Sequence, residues 1–143
     1  MPSHPKGEKG GLMADTGTAS PLAGLGPAQI VGRIFAALDG GDVQGLAAMM
    51  DENVRLQLAN SEESHGRESF VKAVEAFLAS VSGFRHEVID VWRDGETIVA
   101  ELHVHYTRLD GRKVTVPCCN VFQVGDGLVW AYRSYLDMTP VYA

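Results

Sequence analysis

The sequence predicts an α+β domain in which helices come first and a strand-rich half follows. Two patterns carry that reading. Between residues 28 and 83, apolar side chains recur three and four positions apart, the spacing that gathers them on one helix face. From Phe84 onward come β-branched and aromatic runs, separated by Asp94-Gly95, Asp110-Gly111 and Asp126-Gly127. Each dipeptide marks a hairpin, because its glycine tolerates the positive φ that tight turns need. Helices followed by a meander of long strands imply helices packed on one face of a curved antiparallel sheet.

Pro27 after Gly26 suits the first position of a helix. Ile30, Val31, Ile34, Phe35 and Leu38 continue it until Gly40-Gly41. Asp42 caps a second, shorter helix with Val43, Leu46, Ala47 and Met50 on its apolar side, Met49-Met50 reading as core filling. Val54, Leu56 and Leu58 alternate with Arg55 and Gln57, a short strand. A polar loop from Asn60 to His65 leads through Gly66 to a third helix. Its stripe is Phe70, Val71, Val74, Phe77, Leu78 and Val81, and it ends at Gly83. Strands are expected over Phe84–Trp92, Thr97–Arg108, Arg112–Val124 and Leu128–Asp137.

With 143 residues the chain suits one domain. Residues 1–27 hold four of the six prolines, six of the sixteen glycines and no aromatic residue, so they read as a flexible tail before a domain at 28–143. The formal charge of -6 and the lack of a basic run beyond Arg112-Lys113 argue against nucleic acid and anionic membrane as partners. No apolar stretch is long enough for a signal peptide or a spanning helix. Cys118 and Cys119 are adjacent, which suits neither a stabilising disulfide nor a zinc site, and a reduced, cytoplasmic setting is expected.

The order of short motifs resembles a known family. Phe35-Ala36-Ala37-Leu38-Asp39, Gly41-Asp42 and His65-Gly66-Arg67-Glu68 come first. Asp110-Gly111-Arg112, Pro117, Val121-Phe122, Asp126-Gly127 and Tyr132-Arg133-Ser134-Tyr135-Leu136-Asp137 follow. Across residues 28–138 this pattern is similar to the SnoaL-like branch of the nuclear transport factor 2-like superfamily. That superfamily also holds ketosteroid isomerase, limonene epoxide hydrolase and scytalone dehydratase. The resemblance implies a cone-shaped barrel with an apolar pocket between sheet and helices, and a homodimer formed through the sheet. One fold serving several chemistries leaves the function to the pocket residues.

If Asp110-Gly111 is a two-residue turn, Glu101 lies opposite Asn120, His103 opposite Cys118 and His105 opposite Val116. One face then carries Val99, Glu101, His103, His105, Val116, Cys118, Asn120 and Phe122; the other carries Ala100, Leu102, Val104, Tyr106, Pro117, Cys119 and Val121. Periodicity alone does not choose between them. The apolar Ala100-Leu102-Val104 series favours the second as the helix-covered face, while Val116 and Phe122 favour the first.

The limonene epoxide hydrolase pattern places its polar catalytic residues at positions matching His103, His105 and Ser134. The resemblance thus implies a pocket wall of Glu101, His103, His105, Cys118, Asn120 and Phe122, joined by Trp130, Tyr132 and Ser134. The acidic set of that hydrolase is not matched, which argues against epoxide hydrolysis. The ketosteroid isomerase base is also unmatched, since Gln57 and Asn60 stand near its position.

What remains is proton transfer beside a carbonyl of a hydrophobic polyketide or terpenoid compound, with no cofactor and no metal. In this assignment His103 is the base, Glu101 orients it, and Tyr132 or Asn120 donates to the oxyanion. His86, Glu87 and Asp90 suggest only a weak metal site, since alternation puts His86 and Glu87 on opposite faces. A non-catalytic ligand-binding domain and a homodimerisation domain are the alternatives.

Overall fold

The computed structural model describes residues 20–143. In chain order its elements are α1 (Pro27–Asp39), α2 (Val43–Ala48), β1 (Met50–Leu58), β2 (Ser64–His65), α3 (Arg67–Ala79), β3 (Gly83–Asp94), β4 (Thr97–Thr107), β5 (Lys113–Gly125), β6 (Leu128–Leu136) and α4 (Thr139–Tyr142). The strands form one sheet in the order β2-β1-β6-β5-β4-β3. The three expected hairpins pair β3 through β6 in antiparallel fashion. β1 returns to run parallel to β6, and the two residues of β2 close that edge. Register shifts in β3, β6 and β1 let the sheet bend around the helices.

α1 forms where the sequence spacing put it, whereas α3 stops at Ala79, short of the expected end at Gly83, and α4 is not among the expected elements. α1 buries Ile30, Val31, Ile34, Phe35 and Leu38 against the sheet, each contributing roughly 1.5–3 kcal/mol of apolar burial. The Asp42 carboxylate accepts the Gly45 N–H at 2.9 Å and caps α2. α3 packs Phe70 and Val74 inward. Met49 and Met50 are both buried, and Met50 opens β1 rather than closing the helix before it.

Two expectations are corrected by this fold. Of the expected tail, residues 1–19 lie outside the described residues, but Leu22 is buried and its N–H donates to Gly127 O at 3.1 Å. That turn docks because Gly127 has φ +74° and no side chain; a Cβ there would lie 2.6 Å from Ser20 Cβ and 2.8 Å from Ala23 N.

The second correction is the register of the β4–β5 hairpin. Glu101 pairs with Cys119, His103 with Pro117 and His105 with Thr115, one residue away from the expected partners. The loop is wider than Asp110-Gly111. Arg108 N–H bonds Arg112 O at 2.8 Å and Gly111 N–H bonds Arg108 O at 2.9 Å, leaving Leu109, Asp110 and Gly111 as a three-residue turn, with Gly111 at φ +88°. A one-residue slip exchanges the faces of one strand relative to the other. The inner face therefore combines Ala100, Leu102, Val104 and Tyr106 of β4 with Val116, Cys118, Asn120 and Phe122 of β5, all buried. Glu101, His103 and His105 stand on the outer face with Thr115, Pro117 and Cys119.

Candidate functional site

Between the inner face of the sheet and helices α1–α3 lies a cavity of about 400 Å³, within the range that encloses a drug-sized ligand. Its walls are mostly apolar. Leu38, Leu46, Leu56, Phe70, Val74 and Phe77 form the helix and β1 side, while Met138 and Tyr142 stand where the C-terminal segment crosses it. Polar groups reach it from the sheet: His86 of β3, Cys118 and Asn120 of β5, Tyr132 and Ser134 of β6.

His86 is the only imidazole that lines this cavity among the described residues. Its position is set from two directions. The Asp39 carboxylate, at the end of α1, meets Nδ1 at 2.5 Å and accepts the His86 backbone N–H at 3.0 Å. The ring also stacks on Phe35, with centroids 4.2 Å apart and planes 6° from parallel, and Phe84 meets it edge-on at 5.3 Å. The side chain is 7% exposed. With Nδ1 tied to Asp39, Nε2 is the nitrogen left for a ligand. A carboxylate on Nδ1 fixes the tautomer that leaves Nε2 a proton acceptor, and it stabilises the ring once Nε2 takes a proton.

The other polar groups are suited to donating. Tyr132 is 3% exposed and packs against Phe122 at 4.7 Å. Burial, with lesser contributions from Cys118, Tyr106 and the Asp39 carboxylate, holds its phenol far above the usual tyrosine range. It therefore stays protonated at any physiological pH. The Cys118 thiol donates to Asn120 Oδ1 at 3.2 Å, which leaves the Asn120 amide NH2 for a ligand. Burial pushes that thiol up to about 12, so it is a neutral donor and not a nucleophile. Tyr106, also held well above its usual range by burial, donates to Met138 Sδ at 3.7 Å.

The expected site residues divide accordingly. Cys118, Asn120, Tyr132 and Ser134 line the cavity. Phe122 is fully buried between Phe35 and Tyr132, in the core beside it. Trp130 sits where β6 bulges, its indole N–H 3.3 Å from Glu96 Oε1, and does not line the cavity. Glu101, His103 and His105 are on the opposite side of the sheet, so a His103–Glu101 base inside the pocket is corrected. There, His105 Nε2 meets Glu87 Oε1 at 2.7 Å and Nδ1 meets Thr115 Oγ1 at 2.8 Å, both ring nitrogens being used on the surface. The His105 contact holds the Glu87 carboxyl below its ordinary range.

In the sequence His86 reads only as part of a weak metal site, and the missing fact is its partner 47 positions earlier. A signal for the correct face was nonetheless present. Placing the apolar halves of both strands, Ala100-Leu102-Val104 and Val116-Phe122, on one side requires the register that is observed. Among the described residues no group of three His, Cys, Asp or Glu side chains is placed to hold a metal ion, and no helix is long and apolar enough to cross a membrane.

The same architecture recurs in solved structures. An NTF2-like protein of unknown function from Burkholderia pseudomallei superposes with a TM-score of 0.75 at 18% identity, covering 82% of this chain and 98% of that one. TerC, crystallised with polyporic acid, superposes with 0.73 at 14% identity over 80% and 93% of the two chains. An LEH-like epoxide hydrolase from M. tuberculosis gives 0.69 at 19% identity over 81% and 86%. These likenesses concern the fold alone. No curated protein matches the sequence. The SnoaL-like domain model matches residues 31–132, a span running from α1 through the Tyr132 that lines the cavity, and the chain belongs to the SnoaL-like domain family.

Proposed function

We propose that the chain is a cofactor-free acid–base catalyst that moves a proton beside a carbonyl in an apolar, oxygenated compound, as a cyclase, isomerase or dehydratase does. One observation carries the reading: the Asp39–His86 pair, 2.5 Å apart, at the wall of an otherwise apolar cavity. In this mechanism His86 Nε2 takes the proton from the carbon next to the carbonyl. The C–H electron pair moves into the new C=C bond and the carbonyl pair onto oxygen. Tyr132 O–H and the Asn120 amide donate to that oxygen, and Asp39 stabilises the imidazolium. The proton then returns from Nε2 to another carbon, or to a departing hydroxyl that leaves as water. Mostly apolar walls with a few converging polar groups suit an oxygenated ring compound, of the polyketide or terpenoid kind, as substrate.

The outer face of the sheet presents Trp92 and Tyr135, 50% and 57% exposed. We assign this face to a homodimer contact, as the resemblance to the superfamily implies. Two free cysteines suit a reducing cytoplasm.

The test is solvent deuterium exchange into α-tetralone and 2-acetylnaphthalene, followed by NMR. Wild type and His103→Gln are expected to accelerate exchange. His86→Gln should lose about a hundredfold or more, the range that a positioned base contributes. Ketones that bind without any His86-dependent exchange would mark the protein as a binding module instead.

A further inference from the structure

We propose that the cavity admits only uncharged ligands: ketones, phenols and related oxygenated ring compounds bind, whereas carboxylates and phosphates of the same shape are rejected. This rests on the cavity being the ligand site of the preceding reading and adds a charge criterion to it. No Lys or Arg lines the cavity among the described residues. Its one imidazole, His86, is paired on Nδ1 with Asp39, which stands behind the ring and does not line the cavity. With the proton on the ring that pair sums to zero, and with the ring neutral it sums to -1. Neither state offers net positive charge to an anion. Tyr132, Tyr106 and Cys118 are all held in their neutral forms by burial.

The approach has the same sign. A vestibule lined by Leu58 to Ser61, Leu136 to Thr139 and Tyr142 adjoins the cavity and shares five of its residues with it. Its one charged side chain is Asp137. The Thr139 backbone N–H donates to Asp137 at 2.9 Å and holds that carboxyl below the ordinary carboxylate range, so it is ionised at neutral pH. The chain as a whole carries -6. An anion must therefore shed its hydration beside the Asp137 carboxylate and find only neutral donors inside. A ketone loses little hydration and meets the same donors at full value.

The experiment compares matched probes by titration at pH 8: 2-acetylnaphthalene against 2-naphthoate, and 2-naphthol against 2-naphthyl phosphate. The neutral member of each pair is expected to bind at least tenfold more tightly. Asp137→Asn keeps the acceptor for Thr139 and should raise naphthoate affinity a few-fold without changing that of the ketone. Equal or tighter binding of naphthoate overturns the charge criterion, even if His86-dependent deuterium exchange persists. Loss of that exchange with neutral selectivity intact overturns the catalytic reading alone. Failure of every probe to bind overturns both.

Discussion

Replacing Asp39 by Asn preserves the shape of the side chain at the end of α1 and removes one of its two acceptors. The carboxylate now accepts from the His86 backbone N–H at 3.0 Å and meets the ring Nδ1 at 2.5 Å. An amide has one oxygen. If that oxygen keeps the backbone N–H, the NH2 points at Nδ1, which must then be unprotonated. The ring proton moves to Nε2, and the nitrogen facing the ligand is no longer a base. The structural cost is small, because Asp39 is 25% exposed and His86 7%. A charge-assisted bond there, discounted for the water that reaches Asp39, is worth about 1 kcal/mol, or a Tm lower by roughly 3–5 °C in a domain of this size. The chemical cost is large: on the order of 10²–10⁴ in rate when a base holds the wrong tautomer. Deuterium exchange into α-tetralone, measured beside thermal unfolding, separates the two. An Asn variant that exchanges at the wild-type rate would refute the tautomer argument. So would a loss of rate that merely follows the fraction unfolded.

Three further outcomes follow from the fold. Gly127→Ala is expected to destabilise by about 1–3 kcal/mol. It imposes a side chain at φ +74° and drives Cβ into Ser20 and Ala23, so urea unfolding should show the loss and amide exchange should show Leu22 released. Iodoacetamide at pH 8 should leave Cys118, whose thiol is pushed up to about 12 and buried, unmodified in the folded protein and label it once urea unfolds the domain; equal rates with and without urea by mass spectrometry would contradict the burial argument. Asp137→Asn is expected to lower Tm at pH 7. The folded carboxyl is depressed, so its stabilisation is present above the unfolded value and lost as pH falls through the folded one. The difference from wild type should vanish in strong acid.

Most of the architecture could be read directly because it depends on local chemistry. The α1 and α3 stripes, the Asp42 cap and the three Asp-Gly turns each act over a few residues. The hairpin register did not follow from the turn dipeptide, since a distant segment helps fix the wider loop. The Arg108 side chain holds both Asp110 oxygens, the Pro140 carbonyl at 3.0 Å and the Ala143 carbonyl. Those last contacts tie the loop to α4, a tertiary feature that the turn residues do not encode. The parallel pairing of β1 with β6 is likewise non-local. Of the cavity's polar groups, Ser134 and Tyr132 came from the likeness to limonene epoxide hydrolase, and Cys118 and Asn120 from a β5 face whose expected β4 partners were one residue out of register. The acid–base pair stayed hidden because Asp39 reads as the last polar residue of a helix and His86 as one position of an edge strand. Only folding brings them within 2.5 Å.

In the proposed function His86, and neither His103 nor His105, faces the ligand. A long-range 1H–15N spectrum of the imidazole nitrogens, recorded while α-tetralone is titrated in, tests it most directly. The His86 Nε2 resonance is expected to shift with saturation, while those of His65, His103 and His105 stay in place. Movement of His103 or His105 with His86 unchanged would put the ligand on the outer face and contradict the account.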